Sequence, residues 1–308
     1  MSGGPLGSVA GGGCPGAGTP TGAAPGYRRV LHPSERPLAC NRREVLVQRL
    51  AIDVRASWNA TAAAAGLVLL QVADAAGQTH VAEHLEVEGA EVEDPGTRPD
   101  GSRPLRLHAQ AGTVRLHYRA DVDVAPADTV GDAPLPGLAG LDLDLQTWTL
   151  PSRYCPSDVL RPMAVALFGG GPHTGTLLED VRAWVEREVA YVPGSSDVHT
   201  AADETMLRRA GVCRDLAHLT ATLLRALNVP ARLVAVYALD LEPPDFHAVV
   251  EAHDGTGWRL LDATGLASTS TLARIATGRD AAEIAWGTID GPMNFADLAV
   301  EVTDGTQD

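Results

Sequence analysis

Two periodicities divide this chain. Between residues 46 and 122, apolar and polar positions alternate with a period of two, the signature of strands with one buried face. Leu46, Leu50, Ile52 and Val54 share one parity, and Arg49, Asp53 and Arg55 the other. Leu105 and Leu107 alternate with Arg106, His108 and Gln110. Val114, Leu116, Tyr118, Ala120 and Val122 alternate with Thr113, Arg115, His117, Arg119 and Asp121. Apolar runs at 66–72 and 81–87 complete five strands. They predict an antiparallel, sandwich-like β domain over residues 41–124. The stretch 94–104, rich in Pro, Gly and Asp, reads as a turn region, and 125–147 as a linker or surface loop.

Further on, the period lengthens to that of a helix. Leu177, Val181, Trp184, Val185 and Val189 form one stripe, and Leu216, Leu219, Leu223 and Leu227 another that ends before Pro230. A short helix is expected over 203–209. Three β-rich runs follow at 232–239, 246–252 and 258–263. Helices succeeded by adjacent strands predict an α+β domain over 148–308, with helices packed on an antiparallel sheet. Residues 1–40, dominated by Gly, Pro, Ala and Thr, carry too little apolar surface to offset their ordering entropy, so a disordered tail is expected.

Composition narrows the function. The chain has 308 residues and is 45% hydrophobic but only 4% aromatic, so its core is expected to be mainly Leu, Val and Ala. A net charge of -15 disfavours a phosphate backbone or an anionic membrane as partner. No apolar run reaches the roughly 18 residues of a membrane span. The first residues lack the basic start and apolar centre of a signal peptide, so a cytoplasmic location is expected. The high Ala, Gly, Arg and Asp usage fits a GC-rich bacterial genome. Of the four cysteines, Cys14 and Cys40 lie in or beside the tail and none belongs to a C-x-x-C pair. Neither a disulfide framework nor a zinc site is expected, and no cofactor. His80 and His84 read as strand-surface residues rather than a metal pair.

One constellation carries chemistry. In Gly211-Val212-Cys213-Arg214-Asp215, a glycine is expected to break the preceding helix and the next helix opens at or just after the cysteine. A thiol there feels the positive end of the helix dipole, which favours the thiolate. Taken alone, Cys213 also reads as a small core residue. The hairpin downstream changes that. Asp254-Gly255-Thr256-Gly257 is a turn signal between the runs holding His247 and Asp262. A symmetric hairpin pairs His253 with Trp258 and Val249 with Asp262. His247 and Asp262 then become diagonal neighbours on one face, roughly 7–8 Å apart at the backbone. A slip of one residue would put them on opposite faces. A carboxylate-held imidazole can accept a thiol proton, so Cys213, His247 and Asp262 are expected to act as nucleophile, base and orienting acid.

These segments resemble the bacterial transglutaminase-like superfamily: residues 211–219, 227–232, 245–250 and 261–264. Residues 152–158, 191–195 and 274–280 are also similar to segments of its members, and so is the β-rich block. The resemblance covers residues 148–290. It implies a papain-like core with a Cys-His-Asp triad, mapping without gaps onto Cys213, His247 and Asp262. Active members attack a carboxamide or peptide carbonyl and form a thioester. Water then gives hydrolysis, and an amine gives crosslinking. Inactive members also exist, so the alternative is a binding or scaffold module. The expected partner is a protein or peptide substrate. For the oxyanion, the Cys213 backbone N–H and Tyr191 are the candidate donors. Arg214 and Asp215 are expected to form an ion pair at the helix start, His218 to pack or cap, and Cys155 to pack in a loop or between domains.

Overall fold

The computed structural model describes residues 47–306. The tail at 1–40, with Cys14 and Cys40, and Leu46 lie outside the described residues. Six strands come first: β1 (Gln48–Ala60), β2 (Ala64–Val68), β3 (Gln78–Glu88), β4 (Ala90–Glu93), β5 (Leu105–Ala109) and β6 (Gly112–Val124). The alternation sets their faces. Leu50, Ile52, Val54, Ala56 and Trp58 of β1 are buried, as are Val114, Leu116, Tyr118, Ala120, Val122 and Val124 of β6. The antiparallel register pairs these sets directly, Ile52 with Ala120 and Val54 with Tyr118. Each such Val, Leu or Ile contributes roughly 1.5–3 kcal/mol by leaving water.

Strand β3 departs from the simple alternation. Its register against β6 shifts between His80 and Ala82, so Val81 is an extra residue, 47% exposed. A bulge reverses the parity beyond it. His80 therefore stands opposite inward-facing Val122, and His84 opposite outward-facing Arg119. His80 lies 3.2 Å from Asp74 and His84 meets Glu86 at 2.7 Å.

The second half begins with α1 (Leu143–Gln146), α2 (Ser157–Phe168) and α3 (Thr176–Glu188). It continues through β7 (Ala190–Tyr191), α4 (Ala202–Arg208), β8 (Ala210–Gly211) and α5 (Cys213–Ala226). Helix α5 is buried at every residue from Asp215 to Ala226, so it is a central helix rather than a surface one. Its polar residues turn inward on hydrogen bonds: Thr220 and Thr222 donate to the carbonyls of Leu216 and His218. Helices α2, α3 and α4 pack on it, and so does a sheet of order β11-β10-β9-β12, made of β9 (Ala231–Ala238), β10 (His247–His253), β11 (Trp258–Leu261) and β12 (Leu272–Gly278). The chain ends with α6 (Ala281–Ile284), β13 (Gly287–Asp290) and β14 (Met293–Asp304).

The last two strands correct the expected boundary of 148–308. Strand β13 pairs with β2, and β14 with β1, placing Val300 opposite Val54 and Val302 opposite Ile52. They complete the antiparallel sheets β14-β1-β6-β3 and β13-β2-β5-β4. The reason is the open edge of β1, which the returning chain pairs and covers. The described residues belong to one compact unit. One apolar cluster runs from Trp58 and Leu116 to Leu219 and Leu223. The segment 125–147 is also fastened down: the Leu135 N–H donates to the His173 carbonyl at 2.9 Å, and Asp128 meets Arg259 at 3.4 Å. Among the described residues, no helix is long and apolar enough to cross a membrane.

Candidate active site

The approach to Cys213 is built from local backbone rules. Helix α4 stops where Arg209 takes a left-handed conformation (φ 55°), two residues before the glycine expected to break it. Gly211 serves a different purpose. A Cβ there would stand 2.7 Å from the Cβ of Asp215, so only glycine lets that side chain lie beneath it. Strands β7 and β8 pair in parallel and set Tyr191 beside Gly211. Val212 is extended and caps α5. Its carbonyl accepts from the N–H groups of Asp215 (2.9 Å) and Leu216 (3.1 Å). Cys213 is therefore the first helical residue, where backbone N–H groups have no partner within the helix.

The hairpin brings the other two residues together. Asp254 Oδ1 accepts from the Thr256 N–H (2.8 Å) and hydroxyl (2.7 Å) and from the Gly257 N–H (3.0 Å), while Gly255 supplies a φ of +94°. The register pairs His253 with Trp258 and Val250 with Leu261. Continued by one residue, it sets Asp262 opposite Val249, on the face that His247 shares. His247 Nε2 lies 3.0 Å from Asp262 Oδ2. The two residues are 2% and 5% exposed. Asp262 is itself held. Its Oδ1 accepts from the Thr264 N–H (2.8 Å) and hydroxyl (2.7 Å), and its Oδ2 from the Ala267 N–H (3.3 Å). Arg182 of α3 donates to its carbonyl at 3.4 Å.

Burial disfavours an imidazolium at His247. The hydrogen bond to Asp262, the neighbouring Cys213 side chain and the negative charge of Asp262 outweigh it and push its pKa up to about 9. For Asp262, burial works the other way and is again outweighed, by the His247 contact and the Thr264 donors, so its carboxyl stays below the usual range. The two directions agree: the pair is an ion pair. With Nε2 taken by Asp262, Nδ1 is the ring nitrogen left for Cys213.

Tyr191 is 36% exposed and reaches the same place. Burial, then the neighbouring Cys213 and Asp245, raise its pKa, which keeps the phenol a donor, and its hydroxyl interacts with the Cys213 backbone. Arg214 and Asp215 do form an ion pair, Nη2 to Oδ1 at 3.2 Å. Asp215 also accepts from the Val212 N–H at 2.8 Å and from the Ser196 hydroxyl. Nothing in the sequence singles out Ser196, which lies 19 residues from Asp215 in no periodic relation to it. Asp245 lies two residues before β10 begins at His247, and burial raises its pKa. His218 points away from the chemistry. Its ring stacks on Tyr154 with centroids 5.1 Å apart, and its Nε2 accepts from the Ala281 N–H at 3.1 Å. Burial pushes its pKa down to about 3. Cys155 is wholly buried, its thiol 3.6 Å from the His218 carbonyl, and burial raises its pKa.

The profile of the transglutaminase-like superfamily matches residues 163–263, a span that contains Cys213, His247 and Asp262. A solved structure of a candidate cysteine protease from Cytophaga hutchinsonii is 33% identical, with a TM-score of 0.79. The match covers 85% of this chain and 92% of that one. An uncharacterized protein of Mycobacterium leprae is 28% identical over 33% of this chain and 39% of its own length. One from Mycobacterium tuberculosis is 28% identical over 54% of this chain and 57% of its own. The chain thus spans little more than half, or less, of these mycobacterial relatives.

Proposed function

This chain belongs to the transglutaminase-like superfamily, and on that premise we propose that it is a thiol enzyme acting on carboxamide or peptide carbonyls of a protein or peptide. The observation that carries the reading is the buried His247, bound through Nε2 to Asp262 at 3.0 Å and neighboured by the Cys213 side chain. In this scheme the thiol proton already resides on His247 Nδ1, as a thiolate–imidazolium pair, and the thiolate sulfur attacks the carbonyl carbon. A C–S bond forms while the carbonyl electron pair moves to oxygen. The Cys213 backbone N–H and the Tyr191 hydroxyl stabilise that oxyanion. Collapse breaks the C–N bond, and His247 returns its proton to the departing amine. The thioester is then released by water, giving hydrolysis or proteolysis, or by an amine, giving acyl transfer. Asp262 keeps the imidazole in the tautomer and orientation the transfer needs. The proposed compartment is the cytoplasm, where reducing conditions keep Cys213 a thiol.

The test is an acyl-enzyme. Mass spectrometry after incubation with reactive glutamine or peptide donors should find a thioester adduct on Cys213. It should be absent in Cys213→Ala and His247→Ala. Asp262→Asn should slow turnover on the order of 10²–10⁴-fold, because the imidazole loses its orientation. A Cys213 that alkylates like a free model thiol and forms no adduct would instead make the fold a binding scaffold.

A further inference from the structure

Tyr191 stands on a slender support. It belongs to a strand of two residues that, among the described residues, pairs only with β8, flanked by bonds from the Ala190 N–H to the Arg209 carbonyl (2.9 Å) and from the Val192 N–H to the Gly211 carbonyl (2.8 Å). So short a pairing is marginal by itself. The strap that follows is fastened to the start of α5 by side chains. The Ser196 hydroxyl donates to Asp215 Oδ2. Arg214 Nη2 reaches the Ser196 hydroxyl oxygen at 3.1 Å, the Asp197 carbonyl at 2.8 Å and Asp215 Oδ1 at 3.2 Å. Asp215 also holds the Val212 N–H, one residue before the candidate nucleophile, and is fully buried. A buried carboxylate is costly unless fully bonded. Here every partner lies on one of the two segments that present the candidate oxyanion donors, Tyr191 and the Cys213 N–H.

We propose that Ser196, Asp215 and Arg214 are positioning residues that lock the strap carrying Tyr191 onto the helix carrying Cys213, fixing the distance between the two oxyanion donors. The proposal rests on the thiol-enzyme reading. Its consequence is selective. Loosening the lock should weaken stabilisation of an oxyanion while leaving the thiol and imidazole as they are. Two reactions of Cys213 separate these effects. Acylation by p-nitrophenyl acetate forms a C–S bond through a tetrahedral oxyanion and expels p-nitrophenolate. Alkylation by iodoacetamide forms a C–S bond by displacing iodide, with no oxyanion.

In the full chain, Tyr191→Phe should slow acylation about 10²-fold, the cost of one oxyanion donor. Ser196→Ala should slow it about tenfold, with alkylation changed by less than about twofold. Added to Tyr191→Phe, Ser196→Ala should cost less than about twofold more, because residues acting through one another are not additive. Asp215→Asn, which keeps the shape, should resemble Ser196→Ala. Should it fail to fold, the Ser196 and Tyr191 cycle still decides. Equal slowing of both reactions by Ser196→Ala, additive losses in the double variant, or no loss at all would overturn the lock while leaving the thiol chemistry standing. A wild-type Cys213 that acylates no faster than a free thiol would overturn both.

Discussion

At the scale of single residues, the ion pair between His247 and Asp262 governs how the site responds to pH. His247 is raised to about 9 from a reference of 6.5. Its contribution to stability is therefore complete below 6.5 and is lost as pH rises through about 9. Asp262 is lowered from a reference of 3.8, so its contribution is complete above that value and is lost as pH falls through its depressed pKa. Both contributions are whole between 3.8 and 6.5. Asp262→Asn should lower the Tm most in that window, and the gap to wild type should narrow as pH approaches about 9. A gap independent of pH would contradict the ion pair. The basic limb of Cys213 acylation should likewise fall near 9 and vanish in His247→Ala. These residues were legible in the sequence because a hairpin signal fixes register, and register alone decides which side chains share a face. Ser196 was not. Its bond to Asp215 joins a loop to a helix start, and no local pattern encodes that contact.

Elements show the same division. The period-two runs led to β1, β5 and β6, and the leucine stripe to α5. The bulge at Val81 was hidden, since one extra residue leaves composition untouched while reversing every face beyond it. Strands β13 and β14 were missed because their partners lie more than 200 residues away. Helix α2 was missed as well: Pro162 interrupts its pattern and Met163 and Val159 face outward, so the apolar stripe is thin. Gly211 tests how α5 is seated. Gly211→Ala would put a methyl against the Asp215 Cβ, 2.7 Å away between two paired backbones. Overpacking of this kind costs about 1–3 kcal/mol. Urea unfolding should show a lower midpoint with the slope unchanged. A neutral or stabilising result would mean that β8 can move, and the lock beneath it would lose its rigid seat.

Across the whole molecule, the charge of the chain bears on what can accept its acyl group. All 24 basic residues are arginine, and the chain contains no lysine. A guanidinium stays protonated, with a pKa above about 12, and does not attack a thioester at neutral pH. A lysine amine does so through its small unprotonated fraction. The side chains of this protein therefore offer no amine to the proposed Cys213 thioester, either within one molecule or between copies. Copies packed closely in solution would offer one another no side-chain amine, leaving water, a chain-terminal α-amine or an amine brought from outside as acceptor. An expected outcome follows for the full chain incubated with a glutamine-containing peptide donor. Without added amine, mass spectrometry should find deamidated or cleaved donor and no multimers that survive denaturant and reductant. With a lysine peptide or a small primary amine added, a donor–amine conjugate should compete with hydrolysis, and the enzyme should remain a single chain. Ladders of the protein joined through its own side chains, mapped to any residue other than Cys213, would show an acceptor that is not an amine. The thioester would then have a different fate from the one proposed here.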